Sequence, residues 1–366
     1  MTGGAGFIGA HLAERLLAAG HEVRVLDSLD PQVHDDVASA LDPAVEFVRG
    51  DVRDAEAVAR SLDGVDRLVH LAAAVGMAQS MYELVRYTST NALGAAVVLE
   101  QALEVRDRLE KVVVASSNTI YGEGLYRCPV EGIDVAPAPR RAERLAEHKW
   151  EPACPDCGAD LEPVPTRETK PLAPTTIYAI GKRDQEEMFL ACGRAYDIPT
   201  TALRLFSVYG PRQALSNPYT GVAAVFASRL LSGRRPVIFE DGRQSRDFVY
   251  VDDAVEALMA ALEPGRGDGR ALNVGSGAPV TILDVATTLA AVLSVSIEPE
   301  IRNRFRAGDI RHCFADASAG RAELGWSSAT PFAAGVARLA DWLAEQHASD
   351  RFDEAADALA SRGLMT

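Results

Sequence analysis

The chain opens with MTGGAGFIGAHL, residues 1–12, in which Gly3, Gly6 and Gly9 recur at every third position. Glycines so placed allow a tight turn from strand to helix and let the backbone approach a pyrophosphate. The free N–H groups and partial positive charge of the helix that follows would hold that anion. The helix is legible behind them: Ile8, Leu12, Leu16 and Leu17 share one face, and Gly20 suits the stop. HEVRVLD (21–27) then reads as a strand ending in Asp27. An acid about 20 residues beyond such a turn can accept from the ribose hydroxyls of an adenosine. No Arg or Lys stands at 28–30 to meet a 2′-phosphate, which favours NAD over NADP. An ordinary glycine turn with a solvated acid would show some of these features; glycines, helix, strand and acid in that order favour the dinucleotide. A strand should lead into the turn, yet only Met1 and Thr2 precede it, so the first strand is expected to be truncated, with a natural start roughly ten residues upstream.

The remaining composition narrows the field. A chain of 366 residues suggests one large or two modest domains, and 48% hydrophobic residues suffice for a sizeable core. A net charge of −15 argues against nucleic acid as a partner and requires local arginines for any anionic substrate. There is neither a signal peptide nor an apolar run long enough for a membrane span, so no membrane partner is expected and the cytoplasm is the default location. Five cysteines, two of them in CPDCG, do not read as a disulfide framework.

Strand and helix signals alternate onward. VEFVRGDVRD ends a strand near Asp51, placed to meet an adenine amino group. DRLVHLAAAVG runs into small residues that either admit a dinucleotide or simply pack the sheet, and KVVVASSNTIYGEG ends in hydroxyls. Such alternation implies a parallel, doubly wound α/β sheet, whose ligands lie beyond the carboxyl ends of the strands. Asp27, Asp51, Ala72 and Ser117 all fall there. In TIYAIGKRDQEEMFL, Tyr178 and Lys182 are four apart and share a helix face. An ammonium beside the phenol would lower its pKa and suit the tyrosine to act as a general base toward a sugar hydroxyl, with Ser117 binding the same oxygen. The spacing alone also fits a solvated helix face.

TGGAGFIG, the Asp27 strand end, HLAA, SSNTIYG, YAIGK, LRLFSVYGPRQ, DGRQSRDFVYVDD, LNVGSG and RAGD occur in this order. By these motifs the chain resembles the extended short-chain dehydrogenases/reductases, specifically the nucleotide-sugar 4-epimerases and 4,6-dehydratases, from Met1 to about residue 344. The resemblance implies a Rossmann-like NAD domain over 1–205, rejoined by 245–264, and a smaller substrate domain over 206–244 and 273–345, followed by a tail (346–366) that is a loose helix or disordered. It implies Ser117, Tyr178 and Lys182 as the catalytic set. NAD would be held by Gly3, Gly6, Phe7, Ile8, Gly9, Asp27, Asp51, Val52, Leu71, Ala72, Ala73 and Asn91, besides Tyr178 and Lys182. A nucleoside-diphosphate sugar would meet Ser80, Thr119, Ser207, Arg246, Arg306 and Asp309. The arginines suit a diphosphate, but Arg246 could instead pair with Asp247, and Arg306 with Asp309. The family usually has Asn where Ser207 stands. Dehydratases carry Asp–Glu after the hydroxyl residue; here Asn118 and Thr119 follow Ser117, which disfavours dehydration. The stretches RQALSNPYTGVAAVFASRLLSG and FEDGRQSRDFVYV, with the CPDCG insertion, resemble the bacterial dTDP-L-rhamnose 4-epimerases. UDP-hexose or UDP-hexuronate epimerases, a dehydratase, a net reductase and a non-catalytic dinucleotide sensor are the alternatives. A homodimer through the QALEV and YAIGK helices is implied by the family.

Residues 123–168 interrupt the sheet pattern. Cys154 and Cys157 form half of a zinc knuckle, which Cys128 and His148 could complete; a reduced, metal-free loop is the other reading. Cys192 and Cys313 read as core residues. Thr281 is placed to cap a helix.

Overall fold

The structure, a computed structural model, describes residues 1–34, 41–306, 308–346 and 350–365. Helix α1 (Phe7–Ala18) follows the glycine turn and buries Leu12 and Ala13 completely. Gly20 lies just past it at φ +86°, where glycine is free of Cβ strain. Strands β1 (Arg24–Asp27) and β2 (Glu46–Arg49) pair in parallel. Helix α2 (Ala55–Leu62) is capped by the Asp54 carboxylate, which accepts from the N–H groups of Glu56 and Ala57. After β3 (Arg67–His70), the short helices α3 (Met77–Ser80) and α4 (Leu84–Thr88) lead through a π-helical turn (Ser89–Leu93) into α5 (Gly94–Glu104). Strand β4 (Lys111–Ser117) is buried at every residue.

The insertion builds an antiparallel ribbon of β5 (Leu125–Arg127), β6 (Asp134–Val135) and β7 (Glu162–Val164), in the order β6-β5-β7, with helix α6 (Ala142–Ala146) in the connection. Its small apolar core holds Tyr126, Cys128, Val135, Cys154 and Leu161. The chain then enters α7 (Ile177–Ala195), capped by Thr176, and β8 (Thr200–Leu205). Next come β9 (Ser207–Tyr209), α8 (Val222–Leu231), β10 (Val237–Ile238), β11 (Ser245–Tyr250), α9 (Val251–Leu262) and β12 (Ala271–Val274). The last elements are β13 (Pro279–Thr281), α10 (Ile282–Val292), β14 (Glu300–Ile301), β15 (His312–Cys313), α11 (Ser318–Leu324), α12 (Phe332–Leu343) and α13 (Phe352–Ala360). Thr281 caps α10 as its position suggested, accepting from the Asp284 N–H at 3.0 Å.

Strands β12, β8, β4 and β3 form one parallel sheet in that order, and Thr2 bridges β3 to the β1–β2 pair through parallel contacts with His70 and Leu26. This is the doubly wound, Rossmann-like sheet that the alternation implied. Two assignments change. Strand β11 does not rejoin that sheet; it lies in a second one, order β13-β11-β15, with β9 also on β11. Only α9 returns, packing on α1. Conversely Asn273 and Val274, expected at the start of the substrate domain, belong to β12 on the edge of the main sheet beside β8. An apolar run marks a strand but does not name its partner. The tail also differs from a loose segment: α13 docks, with Arg229 paired to Asp350 and Asp353 and stacked over Phe352. Residues 347–349 and 366 of that tail lie outside the described residues. Among the described residues no helix is long and apolar enough to cross a membrane.

A buried ion pair ties α7 to the sheet. The Arg204 guanidinium donates to both Glu186 oxygens, at 2.6 and 2.9 Å, and to the Tyr121 hydroxyl at 2.7 Å, which in turn donates to Asn273 of β12. Replacing Glu186 by Leu leaves a buried, uncompensated cation and should cost about 3–5 kcal/mol in urea denaturation, whereas the Glu186→Leu, Arg204→Leu double variant should recover much of it.

Candidate functional site

The glycine turn has the shape a dinucleotide requires. Gly3 sits at φ +70°, and a Cβ there would fall 2.6 Å from the Ala72 nitrogen. A Cβ on Gly9 would strike the Gly3 carbonyl, so neither position admits a side chain. A Cβ on Gly6, by contrast, would meet only the Gly3 oxygen, at 3.4 Å, and otherwise open space. Gly6 is the N-cap of α1 and no side chain caps that end, so the first-turn N–H groups of Phe7, Ile8 and Gly9 remain available to an anion. The residues present therefore fit a pyrophosphate. Asp27 lies beside this turn, accepting from the Ala5 N–H at 3.0 Å and the Leu29 N–H at 2.9 Å. Three residues past Asp27, Asp30 pairs with Arg86 at 2.8 Å, and Glu83 holds the same guanidinium at 2.9 Å.

The neighbouring strand ends are more occupied than expected. The Asp51 carboxylate accepts from the Arg53 side chain at 2.6 and 2.9 Å and from its backbone, and this pairing holds Asp51 below the usual carboxylate range. Val52 is buried against Gly94. Leu71, Ala72 and Ala73 leave the end of β3 beneath the glycine turn. Asn91 is fully buried and exchanges two hydrogen bonds with the Ala74 backbone, at 2.8 and 3.1 Å.

At the end of β4 the hydroxyls form a directed chain. Ser117 Oγ accepts from the Thr119 N–H at 3.2 Å and from Thr119 Oγ1 at 2.9 Å. Its one proton is thereby left to face the Tyr178 phenol, whose pKa Ser117 draws down. Tyr178 and Lys182 lie one turn apart on helix α7, which packs on β4. The expected electrostatics differ. Burial pushes the Tyr178 phenol up to about 12, with only the Ser117 hydrogen bond acting the other way. Burial also lowers Lys182 to about 7, against the pull of Glu186. The Lys182 ammonium donates to Gln185 Oε1 at 2.5 Å, so it is directed along its own helix.

Gln185 and His70 are the residues that sequence reasoning missed. The Gln185 amide reaches His70 Nε2 and the Ala72 carbonyl at 3.3 Å and the Asn91 carbonyl at 3.1 Å. His70 is stacked on Phe189 and bonded to Thr2 Oγ1 at 2.8 Å. Burial, with the nearby Lys182 charge, lowers His70 to about 3, so its ring is neutral at physiological pH. Gln185 lies one helical turn beyond Lys182, a position readable only as "same face".

The substrate-side residues are mixed. Ser80 is fully buried, with its hydroxyl donated to the Met77 carbonyl at 2.6 Å. Ser207 begins β9, half-buried beside Phe248. The Arg246 guanidinium donates to the carbonyls of Ser245, Ile310 and Arg311 at 2.8–3.0 Å and not to Asp247, which is wholly buried among donors from Ser276, Gly277 and Ala315. Arg306 does pair with Asp309, at 2.8 Å, and stacks over Phe239. Leu359 of α13 and Leu364 just beyond it line a small cavity with Met77, Met81, Arg306 and Asp309.

In the insertion, the Sγ atoms of Cys128, Cys154 and Cys157 lie within 4.8 Å of one another. His148 is not with them: it stacks on Trp150 at 5.3 Å, held at φ +57°. The insertion also enters a buried charge cluster. Arg311, 1% exposed, donates to Glu151, Glu240 and Asp241, while Arg140 pairs with Glu123 and Glu240 and donates to the Asp309 carbonyl at 3.0 Å.

Residues 1–144 and 156–275 match the NAD dependent epimerase/dehydratase family. The chain is 35% identical to a dTDP-L-rhamnose 4-epimerase of Burkholderia thailandensis, over 94% of each chain. It superimposes on a UDP-glucose 4-epimerase of Thermotoga maritima, solved with UDP-glucose, with a TM-score of 0.77 and 29% identity over 94% of this chain and 97% of that one. The Thermus thermophilus UDP-glucose 4-epimerase, solved with NAD, gives a TM-score of 0.74 and 30% identity over 94% of this chain and 98% of that one. The glycine cradle, the hydroxyl chain and these likenesses agree: the chain belongs to the NAD-dependent epimerase/dehydratase family.

Proposed function

We propose that the protein is an NAD-dependent nucleoside-diphosphate-sugar 4-epimerase, and that its substrate pair is dTDP-L-rhamnose and dTDP-6-deoxy-L-talose. The observation that carries the reaction class is the Thr119–Ser117 hydroxyl pair facing Tyr178, with no carboxylic acid at 118 or 119. Tyr178 takes the proton of the C4 hydroxyl, Ser117 holds the same oxygen, and the sugar becomes a 4-keto intermediate. NAD, when bound, supplies the acceptor and donor of the C4 hydride and a positive ring charge that favours the Tyr178 phenolate. Elimination across C5 and C6 would need a further acid and base that Asn118 and Thr119 cannot provide. Asp27 would take the adenosine ribose. Arg246, with three of its N–H groups spent on carbonyls, keeps two for a phosphate. Arg306 would exchange Asp309 for the diphosphate. The dTDP-sugar reading is supported by the 35% identity to the Burkholderia enzyme. The thiols of the insertion are proposed to hold a structural Zn²⁺.

The direct test is proton NMR of the enzyme with dTDP-L-rhamnose and no added cofactor. New signals with the small H4 couplings of an axial 4-hydroxyl establish 4-epimerisation; an unchanged spectrum with NAD bound rejects this sugar and turns the test to UDP-hexoses. Tyr178→Phe should lower turnover at least about a hundredfold while the NAD dissociation constant is unchanged. Lys182 makes a further prediction about pH. In the unfolded chain a lysine keeps its proton to about pH 10, whereas folded Lys182 releases it near 7. The unfolded state therefore binds more protons across that window, and stability rises with pH. Denaturation of the NAD-stripped protein at pH 7 and pH 9 should show the wild type gaining relative to Lys182→Met; a constant difference would contradict the lowered pKa.

A further inference from the structure

The insertion contains the same five-residue turn twice. CPVEG (128–132) and CPDCG (154–158) share Cys, Pro and Gly at matching places. Their backbones coincide in detail. Gly132 and Gly158 lie at φ +69° and +74°. The glycine N–H donates to the cysteine carbonyl in both, Gly132 to Cys128 at 2.9 Å and Gly158 to Cys154 at 3.0 Å. The cysteine N–H donates to the residue after the glycine in both, Cys128 to Ile133 at 2.9 Å and Cys154 to Ala159 at 2.8 Å. In the first, Cys128 Sγ accepts the Glu131 N–H at 3.3 Å, and in the second the Cys157 N–H lies toward Cys154 Sγ, drawing its thiol down. A pair of such turns supplies a tetrahedral metal from the first and fourth residue of each. In three of these four places stand cysteines, and two of their sulfurs, on Cys128 and Cys157, are 3.5 Å apart, close to the roughly 3.8 Å edge of a tetrahedral zinc–thiolate site. The fourth place is Glu131, which is exposed and whose carboxylate stands outside the thiol group.

We propose that the insertion binds Zn²⁺ through Cys128, Cys154 and Cys157, with the Glu131 carboxylate closing the fourth position in place of His148. This rests on the reading of the thiols as a zinc site. Carboxylate oxygen is among the protein ligands of zinc, at about 2.0–2.2 Å. All four positions are then filled by protein, so the metal is structural. Cys128 and Cys154 are buried in the core of the ribbon, and the metal would fasten the two turns that hold that core.

The test uses the full chain purified without a polyhistidine tag. Wild type should carry one zinc per chain, released on titration of the thiols. Glu131→Gln should lose zinc to a chromogenic chelator at least about tenfold more readily, His148→Ala should match wild type, and Glu131→Cys should retain zinc more tightly. With Co²⁺ in place of zinc, the thiolate charge-transfer absorption should rise from three sulfurs' worth to four in Glu131→Cys, a readout independent of folding yield and activity. A wild-type stoichiometry near zero would remove the metal site altogether. One zinc per chain with retention unchanged in Glu131→Gln, or lost in His148→Ala, would keep the metal and overturn the assignment of Glu131.

Discussion

Strand β4 has no exposed residue, and the rest of the molecule is arranged around that constraint. A strand covered on both faces must pair its backbone on both edges, and β3 and β8 do so in parallel. Parallel neighbours require crossover helices, which close over the sheet and leave only its carboxyl end open. Hydroxyls can reach solvent and ligand there and nowhere else along the strand. Helix α7, packed on β4, then delivers Tyr178 to Ser117 because one helix seated on one strand has few ways to lie. The site is thus placed by the hydrogen-bond needs of the sheet before any chemistry is considered.

What the sheet end gains in position it loses in solvation. Lys182, His70 and Gln185 are all buried, and one amide serves the other two while also binding the carbonyls of Ala72 and Asn91. Gln185 is neutral, so it orients the lysine without adding the carboxylate that would bind the ammonium permanently. The nearest acid on the helix, Glu186, is committed to Arg204 instead. The two buried systems lie side by side on α7, one fully ion-paired and rigid, the other kept short of charge.

Much of this was legible in the residues. The glycine turn, the alternation of strands and helices, the Tyr178–Lys182 face and the Thr281 cap all follow from local spacing, and local spacing is what a sequence displays. Partnership is harder to read. The run SRDFVY is apolar enough for either sheet, and only its pairing with β9, β13 and β15 decides. Asp51 was expected near adenine because it ends a strand, but an arginine two residues later occupies it. Arg246 could have paired with Asp247 in place of a phosphate, yet in a strand adjacent side chains point to opposite faces, so the two enter different surroundings. Gln185 became visible only when the lysine it holds was seen from the side of β3. His148 failed as a ligand for a similar reason: proximity in sequence to Cys154 does not turn its ring toward the ribbon core.

The charge cluster around Arg311 bears on how this protein can have changed over time. Glu123 and Glu151, with Arg140, come from the insertion; Arg311, Glu240 and Asp241 come from the second half of the chain. Two pairs cross between the groups, Arg311 with Glu151 and Arg140 with Glu240. Cutting the ribbon out cleanly would take Glu151 from Arg311 and Arg140 from Glu240, and grafting it onto a relative that lacks those positions would leave Glu151 and Arg140 short of these partners. The ribbon is therefore not a cassette that can be exchanged on its own: a chimera that moves it must move Glu240 and Arg311 with it.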